Sequence, residues 1–282
     1  MKLPASILLP ATLVLLLGCT STKPPAPVSP MREQAQRTLT SAREAYAREN
    51  WTSAAQLFGR AAESFAAVDD AAAQADALHN QGQSLQRANL IETAVEAYEQ
   101  AADINERLHR DVEQAQNLTG LAQCAAAQQR LDLAIETSEQ ALKLAGKTPA
   151  IRATIENDLA VHLLERGRAA DRDRVLALLA SALNTNQQLR NAPGVAVNDL
   201  NFGRAHLAFG QLELAEAQLA RALLEFRTLD DVRGLAQTHE LLANVYAKRG
   251  DAARAKVHRQ QALDKYAFLK DEAAMKRLME SK

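Results

Sequence analysis

The segment His239-Glu240-Leu241-Leu242-Ala243 contains residue types that could bind a metal ion and carry out acid–base chemistry. Its first two residues match the HExxH motif, in which two histidines one helical turn apart bind zinc and the glutamate acts as a general base. Ala243 stands where the second histidine must be, and a single imidazole cannot hold zinc without further ligands. The sequence therefore predicts no metal at this segment.

The other nucleophilic and titratable side chains form no catalytic pattern. Cys124 is followed by two alanines in a predicted helix, which is typical of a small buried apolar residue; a reactive thiol is the alternative. The sequence has no glycine-rich phosphate loop, nucleophile elbow or pair of catalytic carboxylates. We therefore expect a protein that is not an enzyme and that holds no metal and no cofactor. The remaining histidines are scattered along the chain: His79, His109, His162, His206 and His258.

Three columns of mostly small or apolar residues recur with a period of about 40 residues. Self-similarity at a fixed period is the signature of a repeat array. The first column is Ala61, Ala101, Ala141, Ala182, Ala222 and Ala262. The second column, seven residues earlier, is Ala54, Ala94, Ala134, Val175, Ala215 and Ala255. The third column, seven residues later, is Val68, Leu108, Thr148, Leu189, Leu229 and Leu269.

Each period reads as two helices separated by a break. Spacings of three, four and seven place the small residues on one face of each helix, where two helices can cross at short distance. The first helix of each unit carries a small residue: Ala42, Gly82, Ala122, Ala160, Gly203 and Ala243. A break follows seven residues later: at Glu49-Asn50, Asn89, Gln129-Arg130, Gly167, Gly210 and Gly250. An alanine-rich coiled coil or bundle does not predict this recurrence.

The pattern resembles the tetratricopeptide repeat, over about residues 31–270 in six units. This resemblance implies an all-α, right-handed superhelical solenoid of about six helix-turn-helix repeats, closed by residues 271–282 as a C-terminal capping helix. The period of 40 exceeds the usual 34 or so, and is similar to the long-helix variant in kinesin light chain and LGN-type scaffolds. Unit four is irregular because of charged residues at 168–174, which we expect to form a solvated loop or, alternatively, a partner contact.

Residues 1–18 have the features of a signal peptide: Lys2 is followed by an apolar run that is shorter than the roughly 20 residues of a membrane-spanning helix. The run ends Leu16-Leu17-Gly18-Cys19, which resembles the lipobox of bacterial lipoproteins. That resemblance implies cleavage before Cys19 and acylation of its new N-terminus. An uncleaved anchor, or secretion with a chance cysteine, is the alternative. Thr20, rather than Asp, resembles the sorting pattern for the outer membrane.

Residues 19–30 contain four prolines, which hold a chain extended, so we expect a lipidated cysteine and a tether that spaces the body from the membrane. Without Lys2 the chain has 32 basic against 34 acidic residues. This balance gives no support for binding of nucleic acid or of anionic lipid headgroups. The expected location is the bacterial outer membrane, anchored through acyl chains on Cys19, with the repeats in the periplasm.

Without a catalytic pattern, the function that remains is binding through the surface of the repeats. By resemblance, the first helices of such repeats line a concave groove that receives peptides or partner helices. Glutamine and asparagine can donate and accept hydrogen bonds, so they suit the main chain of an extended peptide; ordinary solvated helix faces are the alternative. The expected groove residues are Arg43, Gln83, Arg87, Gln123, Asn157, Arg204, Asn244 and Lys248.

These features predict a non-catalytic adaptor or scaffold lipoprotein that binds another envelope protein, or a peptide segment of one, through its groove. It resembles the repeat lipoproteins that serve as type IV pilus pilotins or that scaffold peptidoglycan hydrolases, although the 40-residue period departs from both. The alternative is a periplasmic carrier for a small apolar or glycan ligand. An apolar groove lining would favour the carrier, and a polar, charged lining would favour a peptide.

Overall fold

The computed structural model describes residues 29–280, so the leader, Cys19 and the tether up to residue 28 lie outside the described residues. In that described part the chain is α-helical with a single 3-10 turn at Ala169–Asp171 and has no strand, and no helix there is long and apolar enough to cross a bilayer. The helices are α1 Pro30–Ala47, α2 Trp51–Ala66, α3 Ala71–Arg87, α4 Ile91–Arg107, α5 Asp111–Ala127, α6 Leu131–Leu144, α7 Pro149–Arg166, α8 Arg172–Gln188, α9 Ala192–Ala208, α10 Leu212–Thr228, α11 Val232–Lys248, α12 Ala252–Phe268 and α13 Glu272–Glu280.

The helices pack mainly against their neighbours in sequence, as α1 with α2, α2 with α3, and so on to α13. Six antiparallel hairpins therefore stack into an array, and α13 closes the last hairpin by placing Ala274 and Leu278 against Tyr266. This arrangement confirms the predicted all-α solenoid of six helix-turn-helix units with a C-terminal capping helix. Such an array is stabilised mostly by contacts between adjacent units.

Nearly every helix ends in the same left-handed turn. After α1, Glu49 has φ 57°, its N–H donates to the Tyr46 carbonyl at 2.9 Å, and the next N–H, of Asn50, reaches back to Ala45 at 3.0 Å. This pair of bonds satisfies carbonyls that the helix end leaves without partners. The turn recurs every 20 residues at Asp69, Asn89, His109 and Gln129, and again at Arg190, Gly210, Asp230, Gly250 and Lys270. The chain is thus a succession of 20-residue helix-plus-turn elements, two per unit.

The alanine columns lie where helices approach most closely. All six residues of the first column are 0% exposed, and the small residues of the first helices are buried as well. A larger side chain at these positions would push the two helices apart, at a cost of about 1–3 kcal/mol. The third column is different, because it occupies helix ends: Leu108 is 42% exposed and Leu189 is 46% exposed.

The charged insertion of unit four is tied to the preceding unit. Arg166 bonds Asp171 at 2.8 Å and Asp132 of α6 at 3.0 Å, and Arg168 also reaches Asp132 at 3.2 Å. One helix turn on, Arg174 pairs with Glu139 at 2.7 Å. Part of the insertion is solvated, as expected. Arg168 and Arg174 are engaged by carboxylates of the preceding unit, and the Arg172 guanidinium lies over the Phe209 ring at 5.0 Å.

The array winds far enough for its two ends to meet. Tyr46, Glu49 and Trp51 from the first unit line one cleft together with residues of units five and six, such as Asp230 and Phe268. A small rotation from each repeat to the next accumulates along a solenoid, and here it brings residues about 200 positions apart into one place.

Candidate partner-binding site

A pocket of about 290 Å³ opens on the face formed by the first helices α1, α3, α5 and α7. Four glutamines contribute to its lining, so we refer to it as the amide pocket. Its lining is Tyr46, His79, Gln83, Gln86, Arg87, Tyr98, Gln116, Thr119, Gly120, Gln123, Ile151, Thr154 and Ile155.

Tyr98 of α4 reaches this pocket by passing between two glycines. A Cβ atom at Gly82 would lie 2.8 Å from the Tyr98 ring, and one at Gly120 would lie 2.4 Å from it. Glycine in a helix interior costs about 1 kcal/mol relative to alanine, and here it makes room for a ring that is 1% exposed. Burial raises the pKa of Tyr98, so its phenol remains a hydrogen-bond donor.

A chain of hydrogen bonds runs from this phenol across three first helices. The Tyr98 hydroxyl donates to Gln86 Oε1 at 3.1 Å, and Gln86 Nε2 donates to Gln123 Oε1 at 3.1 Å. Gln123 Nε2 then donates to Asp158 Oδ2 at 2.7 Å, and burial raises the pKa of this carboxyl to about 6. The chain holds the two glutamines in fixed orientations at the floor of the pocket.

His79 is held by a second set of bonds. Its Nδ1 lies 2.7 Å from Asn117 Oδ1, and its Nε2 lies 2.9 Å from Gln83 Nε2. Because the carbonyl oxygen of Asn117 can only accept, Nδ1 must carry the proton and Nε2 must accept from Gln83. Burial lowers the pKa of His79, which keeps this neutral form. Gln83 itself lines the pocket, and its Oε1 forms no hydrogen bond with a described residue.

The rim of the pocket supplies charge and exposed polar groups. Arg87 and Thr154 are exposed, and Gln116 is half-buried. The Arg87 guanidinium lies 5.9 Å from the centre of the Trp51 ring and forms no ion pair with a described residue. The pocket can therefore offer amide donors and acceptors, the Tyr46 ring and one cation to a bound molecule, while the buried Tyr98 supports the amides from beneath. Beneath it, burial raises the pKa of the Cys124 thiol to about 11, so the sulfur is protonated.

The structure brings three of the eight predicted groove residues together: Gln83, Arg87 and Gln123 line the amide pocket. Arg43 and Lys248 are exposed elsewhere on first helices, and Asn244 is half-buried on α11. The remaining two, Asn157 and Arg204, belong to a different set of contacts in the second half of the array.

Asn157 is 6% exposed and lies in a buried cluster that we call the asparagine ladder. Its Oδ1 accepts from Asn198 Nδ2 at 3.2 Å and from Asn201 Nδ2 at 3.1 Å, which joins α7 to α9. Asn186 of α8 donates to Asn198 at 2.7 Å. The structure therefore places Asn157 in the packing between units, with its amide oxygen engaged by two asparagines of α9.

Arg204 is half-buried between two carboxylates, Glu165 of α7 and Glu240 of α11, which favour its charged form, while burial lowers its pKa. Glu240 is itself occupied. It accepts from the Tyr266 hydroxyl at 2.7 Å and from Arg277 of α13 at 2.9 Å. The polar groups of this half are thus directed mainly at one another.

Several pocket residues were missed from the sequence, among them Tyr46, His79, Gln86 and Tyr98. The prediction considered positions one and five residues after the small residue and, in unit four, one turn before it. A signal was present in the 20-residue helix spacing, because residues about 19 apart meet across a hairpin, as His79 and Tyr98 do with ring centres 5.6 Å apart.

The same offset joins His239, the first residue of the incomplete HExxH motif, to His258 of α12. Their Nδ1 atoms lie 2.9 Å apart, and burial lowers the pKa of His239 to about 4. Within residues 29–280, no group of three or more histidine, cysteine, aspartate or glutamate side chains is arranged to hold a metal ion.

Comparison with known protein families gives one match. The model described as "SNAP: Soluble NSF attachment protein" matches residues 29–165, which is just under half of the chain and includes the whole amide pocket. No curated protein matches the chain.

Solved structures of repeat proteins are similar over most of the chain. The apo form of RapI has 13% identity and a TM-score of 0.70, over 86% of this chain and 87% of that one. A Rap protein complexed with competence and sporulation factor has 16% identity and a TM-score of 0.65, over 88% and 80%. The TPR-like repeats of a putative kinesin light chain from Podosopora anserina have 18% identity and a TM-score of 0.56, over 72% and 99%.

These likenesses establish the fold. The chain is a TPR-like helical repeat protein, and its similarity to kinesin light chain repeats agrees with the resemblance expected from the 40-residue period. Identities of this size carry no activity or partner from those proteins to this one.

Proposed function

We propose that the protein is a non-catalytic adaptor that binds a peptide segment of another protein in the amide pocket. The observation that carries this proposal is the lining itself: fixed glutamine amides, the Tyr46 ring and an arginine without an ion pair to a described residue meet in one cavity. Amides that both donate and accept can bond the N–H and C=O groups of an extended chain, and a cation at the rim can bond a carboxylate.

The fixed orientation of the glutamines supports binding as opposed to simple solvation. Gln86 and Gln123 are held from both sides by Tyr98 and Asp158, so a ligand would not have to order them. Binding groups that are already ordered lose less conformational entropy when a ligand arrives. The similar Rap protein was solved with competence and sporulation factor bound, which supports the use of this fold for holding a partner.

The polar lining weighs against the alternative of a carrier for an apolar ligand. Apolar ligand sites are lined predominantly by hydrophobic and aromatic side chains. Here Ile151 and Ile155 are the aliphatic members, against four glutamines, a histidine, an arginine and two threonines. A small glycan would suit amides and tyrosines better, and the capture experiment below separates it from a protein partner.

We further propose that the adaptor is a lipoprotein of the bacterial outer membrane, anchored through acyl chains on Cys19, and that its partner is a protein of the envelope, in an assembly of the pilus or peptidoglycan-hydrolase kind. The support is the segment Leu16-Leu17-Gly18-Cys19 followed by Thr20 and a proline-rich stretch. Cys19→Ser should abolish labelling by palmitate and release the protein from the membrane fraction; unchanged labelling and fractionation would contradict the anchor.

The pocket proposal is tested by filling the cavity. Thr154 is exposed at the rim on α7, and its hydroxyl bonds the carbonyl four residues earlier at 3.2 Å. Thr40 on α1 is equally exposed, makes the same kind of bond at 3.0 Å and lies outside the pocket lining. The full chain is crosslinked in its own envelope and recovered as wild type, Thr154→Trp and Thr40→Trp.

We expect wild type and Thr40→Trp to recover the same protein partner, and Thr154→Trp to lose it. Equal recovery by all three variants would contradict binding in the amide pocket. If glycan is recovered without protein, and only Thr154→Trp loses it, the carrier hypothesis replaces the adaptor hypothesis.

A further inference from the structure

A second cleft, of about 450 Å³, lies where the two ends of the array meet, and we call it the seam cleft. One wall comes from units one and two and includes Tyr46, Trp51 and Arg87. The other wall comes from units five and six and includes Phe226 and Phe268. Tyr46 and Arg87 also line the amide pocket, so the two cavities adjoin.

Aromatic side chains are concentrated in the seam cleft although they make up only 4% of the sequence. Tyr46 packs edge-on against Trp51, with ring centres 4.9 Å apart. On the opposite wall, Phe268 is 76% exposed and Val197 is 38% exposed. A large apolar side chain exposed to this extent inside a cleft is typical of a binding surface for another apolar side chain.

Two carboxylates in the seam cleft have no cationic partner in the described chain. Glu49 lies in the turn after α1 and Asp230 in the turn after α10, so each end of the array contributes one. Neither forms an ion pair or a side-chain hydrogen bond with a described residue. Of the other charged groups in the cleft lining, Arg233 pairs with Asp271 at 2.7 Å and Asp231 accepts from the Gly234 N–H at 2.9 Å. Arg87 lies 5.9 Å from the centre of the Trp51 ring and pairs with neither Glu49 nor Asp230.

We propose that the seam cleft binds a segment of the partner in which a lysine or arginine stands beside a large apolar residue. The apolar side chain would lie between Trp51 and Phe268, and the cation would be shared by Glu49 and Asp230. This inference rests on the proposed function, since it concerns a second part of the same bound peptide. The choice of lysine or arginine follows from charge complementarity, because a cation placed between the Glu49 and Asp230 carboxylates attracts both and offsets their mutual repulsion.

A segment bound in this way contacts both ends of the array at once. The ligand therefore acts as a clasp across the seam, between units one and two on one side and units five and six on the other. A peptide that continues past Arg87 and Tyr46 enters the amide pocket, which gives the partner two adjoining anchor points.

Trp51 is the one tryptophan of the chain, so its fluorescence reports on this cleft directly. The full chain in detergent is titrated with three acetylated, amidated nine-residue peptides of serine and glycine whose central pair is Lys-Phe, Glu-Phe or Lys-Gly. We expect Lys-Phe to change the Trp51 emission and to bind at least about tenfold more tightly than either of the others, a difference of about 1.4 kcal/mol.

The charge contribution is tested with Glu49→Asn/Asp230→Asn. Both positions are left-handed, with φ of 57° and 53°, and asparagine tolerates that conformation, so the turns are preserved. Asp69→Asn is the matched control, because Asp69 has φ 54° in an equivalent turn outside the cleft lining. We expect the preference for Lys-Phe over Glu-Phe to disappear in the double variant and to remain in the control.

An unchanged preference in Glu49→Asn/Asp230→Asn, equal binding of the three peptides, or no change in Trp51 emission with any of them would overturn the seam proposal. None of these outcomes affects the amide pocket, because Thr154 does not line the seam cleft and the capture lost in Thr154→Trp is measured separately. If Thr154→Trp loses the protein partner but none of the peptides binds as expected, the adaptor proposal stands and the seam proposal is rejected.

Discussion

The two halves of the array use polar side chains in opposite ways on the face of the first helices. In units one to four, Gln83, Gln86 and Gln123 are fixed around an open cavity. In units four to six, the asparagine ladder is buried between helices, and Glu240 is occupied by Tyr266 and Arg277. Side chains of similar hydrogen-bonding capacity are available to a ligand in one half and consumed by packing in the other.

The difference originates in the side chain that packs from the second helix of a unit against the glycine of its first helix. In the first half, Tyr98 comes through a gap made by Gly82 and Gly120 and supports the glutamines from below. In the second half, the corresponding gap at Gly203 is filled by Leu219, whose carbon atoms would lie 2.5 Å from an added Cβ and which offers no polar group. A repeat fold can therefore keep its backbone geometry while one buried side chain decides whether a unit has a polar site.

The largest expected effect on stability concerns the gap that Gly82 and Gly120 make for Tyr98. Gly120→Ala forces the Tyr98 ring to move and should lower the free energy of unfolding by about 1–3 kcal/mol, measured by chemical denaturation. Gly59→Ala is the matched control, because its nearest neighbour is the flexible end of Gln81 at 2.7 Å. The control should be neutral or gain up to about 1 kcal/mol from helix propensity. Equal destabilisation by both would mean that Tyr98 is not tightly inserted.

Acid should destabilise the second half through His239. Burial lowers the pKa of this imidazole from 6.5 to about 4, so the unfolded chain takes up the proton first as pH falls. The associated stability is complete above pH 6.5 and is lost as pH falls from 6.5 to about 4. His239→Gln should flatten that part of the stability curve by about 1–2 kcal/mol. Identical curves for wild type and His239→Gln would refute this.

Asp158, in the first half, should act in the opposite direction over nearly the same range. Its pKa is raised by burial to about 6, so the folded chain holds the proton longer than the unfolded chain does. Its contribution to stability therefore falls as pH rises from about 4 to 6. Asp158→Asn should be more stable than wild type above pH 6, by about 1 kcal/mol, and equal to it at pH 4. A stability difference that did not vary with pH would argue against a buried carboxyl at this position.

The smallest expected effect is at the capping helix. Arg277 is 63% exposed where it bonds Glu240, and exposed ion pairs contribute little. Arg277→Met should therefore lower the free energy of unfolding by only about 0.5 kcal/mol. A double-mutant cycle with Glu240→Gln measures the pair itself, and a coupling of several kcal/mol would show that the second half depends on this contact more than its exposure indicates.

Much of the fold could be predicted because the same pattern of small and apolar residues recurs in six units. The alanine columns fixed the helix contacts, and the breaks at Gly167, Gly210 and Gly250 have the predicted left-handed turns. The repeat pattern does not predict the function of a residue that differs from those at the same position in the other units. Tyr98 stands in a column that holds Phe58, Ser138 and Leu219 in other units, so its role depends on two glycines contributed by different helices.

The site was predicted only in part for the same reason. Gln83, Arg87 and Gln123 were found because they follow the small residue at fixed offsets, but that rule also selected Arg204, which lies between carboxylates, and its extension by one turn selected the buried Asn157. Position on a helix decides which face a residue occupies, whereas its neighbours on adjacent helices decide whether it remains available. The seam cleft depends on the winding of the entire array, which no local spacing reports.

The central claim is that the partner binds at the amide pocket, on the first helices of units one to four, and not at the equivalent first-helix positions of the second half. Gln83 and Asn244 occupy the same position in their repeats, one residue after Gly82 and Ala243, so each can be replaced by a photo-crosslinking amino acid in the full chain. After irradiation in the native envelope, we predict that the residue at 83 captures one protein and that the residue at 244 does not. Equal capture from both positions, or capture from 244 alone, would contradict the account.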